Sequence, residues 1–224
     1  MDERNKPVTR KVKGMRRTIA RRMHESLSET AQLTLHTRLE IPELVAFKKE
    51  NSVSYTDLFL KASAVALRDN PSLNATMIDN TINVYATVNI GVAVALDEGL
   101  MVPVIENVEQ KTLEEIAKER KVLIEKTQTG QLSSEEVTSG TFTVSNLGMY
   151  PVDGFTPILN PPQVALLGIG RIQELPRVIS GDIQNVPVVH LSLTIDHRAV
   201  DGAPGGEFLK ELKNVLEDPE RLRD

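Results

Sequence analysis

The chain has 224 residues, a net charge of −5, 40% hydrophobic and 25% charged residues, and no cysteine. That is enough for one sizeable domain with its own core, and the composition is that of a globular protein. Without cysteine there are no disulfides, thiolate metal sites or cysteine-bound acyl intermediates; the acidic balance argues against general nucleic-acid binding, and no apolar run is long enough to span a bilayer. No signal-peptide pattern opens the chain, so a cytoplasmic location is expected, or an organelle interior after loss of a transit peptide.

Residues 1–13 are polar, lack periodicity and contain Pro7. They read as a linker remnant, and residues 14–224 as the domain. Basic residues run from Arg4 to Arg22, but no aromatic is interleaved for base stacking, so they read as a solvated linker and helix face. Met15, Ile19, Met23 and Leu27 recur every four residues and predict an amphipathic helix. Leu33 to Ile41 alternate as a strand, and Pro42 suits the first turn of a short helix over Glu43 to Lys49. Ser54 and Asp57 form a capping box for a longer helix that stops before Asn70-Pro71.

Asp79-Asn80 reads as a turn between short strands. Val88 to Leu96 and Leu100 to Ile105 are β-branched runs, expected to form one hairpin across Asp97-Glu98-Gly99. Thr112 and Glu115 cap another helix, which stops at Gly130. Thr141 to Leu147 and Val164 to Ile169 are strand-like, joined by a Pro/Gly-rich connection from Met149 to Pro162, and Val178 to Ile183 turns at Ser180-Gly181-Asp182. Val189, Leu191, Leu193 and Ile195 then alternate with His190, Ser192, Thr194 and Asp196, as in a half-buried strand. A final helix from Ala203 buries Phe208, Leu209, Leu212, Val215 and Leu216 and ends at Asp218-Pro219. The interleaving predicts an α/β fold, a mixed sheet with helices packed on it.

His197 falls where the last strand gives way to the Asp201-Gly202 turn, so a rigid element holds a side chain that reaches open space. Asp196, Arg198 and Asp201 surround it with charges of both signs. Spacing leaves two readings open: a general base, or a strand-end histidine in an ion-pair cluster. His24, His36 and His190 lack metal-ligand spacing, Gly168-Ile-Gly170 is too short for a phosphate loop, and no metal site is expected.

The run Asp196-His197-Arg198-Ala199-Val200-Asp201-Gly202 resembles the active-site signature of the dihydrolipoamide acyltransferases, the acyl-transferring cores of 2-oxo acid dehydrogenase complexes. Segments 14–26, 70–74, 89–94, 99–104, 142–148, 160–163 and 217–222 are similar to that family's in the same order. The resemblance implies a two-layer, chloramphenicol-acetyltransferase-like sandwich. It implies transfer of an acetyl or branched-chain acyl group between a lipoyl arm and coenzyme A, the lipoyl domain lying outside this chain. By carry-over, His197 is the base, Ser145 the oxyanion donor and Asp201 an orienting group; Lys48 is placed near the coenzyme A phosphates. Ser145 and Ala203 resemble the acetyl and branched-chain members rather than the succinyl ones. Asp196 and Arg198 are taken as structural. The implied partners are two further copies in a homotrimer, whose trimers can build a cage, and the 2-oxo acid decarboxylase and dihydrolipoamide dehydrogenase subunits, with no nucleic acid or membrane. The family shares its catalytic site between subunits. The alternatives are an O-acetyltransferase of a small molecule and a purely structural scaffold.

Overall fold

A computed structural model describes residues 9–97 and 99–223. Residues 9–13 are exposed and outside any helix or strand, and the rest of the expected linker lies outside the described residues. The elements follow as α1 (Gly14–Glu29), β1 (Gln32–Glu40), α2 (Pro42–Glu50), α3 (Tyr55–Asp69), β2 (Ala75–Ile78), β3 (Thr81–Val84), β4 (Ile90–Val92), β5 (Val94–Leu96), β6 (Gly99–Met101), β7 (Val104–Ile105), α4 (Leu113–Thr129), α5 (Glu135–Thr138), β8 (Phe142–Asn146), β9 (Ala165–Ile179), β10 (Asp182–Asp196) and α6 (Gly202–Glu217). The main sheet is mixed, in the order β1-β10-β9-β8-β4-β7, and β8 runs parallel to both its neighbours.

Local chemistry sets the boundaries. Both capping boxes form: Ser54 and Asp57 exchange hydrogen bonds at the start of α3, and Thr112 and Glu115 at the start of α4. Gly130 closes α4 at φ 68°. Asp79 and Asn80 both have positive φ, as the two-residue turn between β2 and β3 requires.

α3 is buried without interruption from Asp57 to Leu67 because it lies inside the helical layer. Phe208 of α6 meets Phe142 of β8 with ring centroids 5.7 Å apart, which joins helices to sheet. At the head of α3 the Asp57 carboxylate is fully enclosed and receives the Arg120 guanidinium at 2.6 Å. Arg120→Met is expected to lower unfolding stability by about 3–5 kcal/mol, because it strands a buried charge. Urea unfolding checks this, and a midpoint equal to wild type at unchanged slope would refute it.

Three expectations are corrected. The hairpin from Val88 to Ile105 is split in two: β4 pairs with β7 in the main sheet, and β5 with β6 in a separate ribbon. Pro103 lies between β6 and β7 and has no N–H to continue the ladder. The turn residue Glu98 lies outside the described residues.

The strands expected around Val164 and Val178 are one strand, β9, which runs 15 residues through Pro176 and pairs with an equally long β10. Pro176 and Pro187 both lie beyond the β1 pairing, in the two-stranded part, where proline is tolerated.

The polar face of β10 is not solvated either, since Ser192, Thr194 and Asp196 are at most 2% exposed. The 149–162 connection roofs that face of the sheet. Thr194 donates to the Pro157 carbonyl at 2.8 Å, and the Phe155 ring lies over Gly168. Gly170 sits so close under Asp153 that an added Cβ would meet its carbonyl oxygen. A hydrogen bond to the roof replaces water for Thr194, and the His36 ring of β1, 2.9 Å away, does so for Ser192.

Candidate active site

His197 follows the last residue of β10 and is fixed through its backbone. Its N–H donates to the Ala31 carbonyl at 2.8 Å. Asp196, buried at its side, accepts from the backbone N–H groups of Ala31 (3.2 Å) and Arg198 (3.1 Å). The Arg198 guanidinium donates to the same carboxylate at 2.7 Å. Burial works to raise the Asp196 carboxyl, but the guanidinium and the two N–H groups outweigh it and hold its pKa below the usual value. Asp196 and Arg198 thus clamp the turn that carries His197.

The imidazole is about half exposed and lies 3.6 Å, Nδ1 to Oδ1, from Asp201. That is a contact between neighbouring groups and longer than a hydrogen bond. Asp201 is the residue before α6, and its side chain caps no helical N–H. A groove of about 590 Å³ runs beside this turn, lined by Glu29, Met77, Pro161, Gln163, Asp196 and Arg198; the His197 ring is not part of that lining.

Ser145 stands elsewhere. It pairs with Gly168, which pairs with Ser192, so these three lie in one row across the sheet. His197 is five residues beyond Ser192 and two strands over, which separates the two side chains by roughly 15–20 Å. His197 lies at the end where β8 and β9 begin, and Ser145 near the end where β8 finishes. α2, which carries Lys48, follows the far end of β1 and so belongs to the Ser145 end of the sheet. The chain brings His197 and Asp201 together and holds Ser145 and Lys48 apart from them. Among the described residues no helix is long and apolar enough to cross a membrane.

A family model described as "2-oxoacid dehydrogenases acyltransferase (catalytic domain)" matches residues 4–223. The dihydrolipoyllysine-residue acetyltransferase component of the Bacillus subtilis acetoin cleaving system is 40% identical over 96% of this chain and 56% of its own length. The succinyltransferase component of the Azotobacter vinelandii 2-oxoglutarate dehydrogenase complex is 37% identical over 98% of this chain and 57% of its own. This chain therefore spans a little over half the length of these curated relatives.

Among solved structures, A. vinelandii dihydrolipoamide acetyltransferase superposes with a TM-score of 0.90 at 31% identity, over 98% of this chain and 95% of that one. That structure comes from an investigation of a serine, a histidine and an asparagine in its catalytic mechanism. The cubic core of a pyruvate dehydrogenase multienzyme complex gives 0.89 at 31% identity, covering 98% of this chain and 96% of that one. A chloramphenicol acetyltransferase matches with a TM-score of 0.58 at 17% identity, over 87% of this chain and 94% of that one, a likeness of fold alone.

Proposed function

Since the chain belongs to the 2-oxoacid dehydrogenase acyltransferase family, we propose that it transfers an acyl group between a lipoyl arm and coenzyme A, as the core of a 2-oxo acid dehydrogenase complex. One observation carries this reading. The serine, histidine and asparagine studied in the A. vinelandii enzyme are spaced 52 and 4 residues apart, and so are Ser145, His197 and Asp201 here.

The proposed chemistry needs a base, an oxyanion donor and two carriers held together. His197 takes the proton from the coenzyme A thiol, and the resulting thiolate attacks the lipoyl thioester. Ser145 donates its hydroxyl to the tetrahedral oxyanion. As that intermediate collapses, the His197 imidazolium returns its proton to the departing lipoyl sulfur. Asp201 orients the ring from 3.6 Å. Because one chain keeps Ser145 and His197 at opposite ends of the sheet, the working site pairs the His197 of one subunit with Ser145 of the next, in a trimer whose three contacts are equivalent. Lys48, on the Ser145 side, faces the phosphates of coenzyme A. Trimers assemble further into a cage and carry the decarboxylase and dihydrolipoamide dehydrogenase subunits, in the cytoplasm.

The deciding experiment is acyl transfer to dihydrolipoamide from acetyl-, isobutyryl- and succinyl-coenzyme A. Acetyl or isobutyryl transfer is expected to have the highest kcat/KM. A higher value for succinyl would overturn the acyl preference. Transfer only to hydroxyl acceptors would favour the O-acetyltransferase reading, and no transfer at all the scaffold. The asparagine in the A. vinelandii enzyme also sets an expectation for Asp201. The 3.6 Å contact is not a hydrogen bond and Asp201 is largely exposed, so Asp201→Asn is expected to keep kcat within about tenfold of wild type. A loss of 10²-fold or more, at the level of general-base removal, would show that the charge itself is required.

A further inference from the structure

We propose that Asn146 is a positioning residue for the Ser145 hydroxyl, clamping the end of β8 between the first turn of α3 and the Gly148 amide. The proposal rests on Ser145 being the oxyanion donor.

The end of β8 is supported on one side only. On the β9 side, Ser145 pairs with Gly168 and Asn146 with Ile169. On the other side, β4 pairs no further than Val144. Ser145 therefore sits on a strand end that has outrun one of its neighbours, where backbone fluctuation is largest. The Asn146 side chain supplies the missing support. Its Nδ2 donates to Thr56 Oγ1 at 3.1 Å, and its Oδ1 accepts from the Gly148 N–H at 2.8 Å. The second bond closes an Asx turn directly after the strand. That turn is tight: a Cβ on Gly148 would stand 2.9 Å from Asn146 Oδ1.

Thr56 is a firm anchor, since it lies in the first turn of α3. That turn is locked by the Ser54–Asp57 capping box and by Arg120, which bonds both residues. Successive strand residues point to opposite faces, so Asn146 reaches toward α3 while Ser145 shares the other face with Gly168. Asn146 thus acts through Ser145, without touching substrate. The amide serves the clamp because it offers a donor and an acceptor on two separate atoms, one for each partner.

The test is a double-mutant cycle in the assembled protein, with coenzyme A and dihydrolipoamide as substrates. Asn146→Ala is expected to lower kcat about 10- to 100-fold, as a displaced catalytic group does, with the KM for coenzyme A changed less than about threefold. In a Ser145→Ala background the same change should cost less than about threefold more, because the group it positions is gone. Thr56→Val, which removes the acceptor at nearly constant volume, should reproduce the loss, and Thr56→Ser should restore activity. If Asn146→Ala fails to fold, Thr56→Val takes its place in the cycle. Losses that multiply fully in the double variant, or a single variant within threefold of wild-type kcat per folded subunit, would overturn the proposal. If Ser145→Ala itself keeps wild-type kcat, the oxyanion assignment falls instead.

Discussion

A His197→Asn variant is expected to lose acyl transfer by ~10²–10⁴-fold in kcat, the usual range for removing a general base. Asparagine approximates the ring in size but cannot accept and return a proton. The fold should not register the change. The backbone bond from His197 to Ala31 is kept, and the ring is about half exposed, with Asp201 3.6 Å away. Exposed substitutions of this kind stay within about 0.5 kcal/mol. Melting temperature and oligomer size should therefore match wild type. A variant with more than a tenth of wild-type kcat would remove His197 from the base role.

The second large effect is a gain. Neither His197→Asn nor Ser145→Ala trimers contain an intact pair, so each should be severely impaired. Loss of an oxyanion donor alone costs about 10²–10³-fold. Refolded together in equal amounts, the two chains form random trimers in which about a quarter of the interfaces join an intact His197 to an intact Ser145. Activity should climb toward that fraction of wild type. Within one chain the sheet register separates the two side chains by roughly 15–20 Å, so no rearrangement short of unfolding β10 unites them. A mixture no more active than its better parent, in trimers shown to have exchanged subunits, would reject the shared site.

Much of this molecule is legible in its sequence, wherever a local rule decides. Ser54 with Asp57 and Thr112 with Glu115 start helices because the bonds that cap them span three residues, and Gly130 stops one because only glycine takes its φ cheaply. The mixed sheet follows from the interleaving of strands and helices, and the place of His197 at the end of a strand from the alternation before it and the Asp201-Gly202 turn after it. What could not be read required distant partners. The alternation of β10 gives one apolar and one polar face, and nothing local says that the 149–162 roof will cover Thr194. Pro176 argues for a break, yet β9 runs through it because the neighbours that would need its N–H are absent there. In the site, the identity of Ser145 came from resemblance, and its distance from His197 came only from register. Asn146 does carry a local signal: an asparagine two residues before a glycine, at the end of a strand, announces an Asx turn.

The β9–β10 ribbon bears on where the molecule breathes. From Val188 to Ile195, β10 runs between β1 and β9, whereas beyond Pro187 it pairs with β9 alone. Opening is therefore expected to begin at the Ser180–Gly181 tip, where Val178 and Ile183 are exposed, and to die away toward the root. Amide protons near the tip should exchange with solvent through local fraying, and those of Leu191, Leu193 and Ile195 only when the whole domain opens. His197 hangs from the root, at the opposite end of a 15-residue strand. The His197 ring is thus borne by the part of the lever expected to exchange slowest, where the motion of the free end should already be spent.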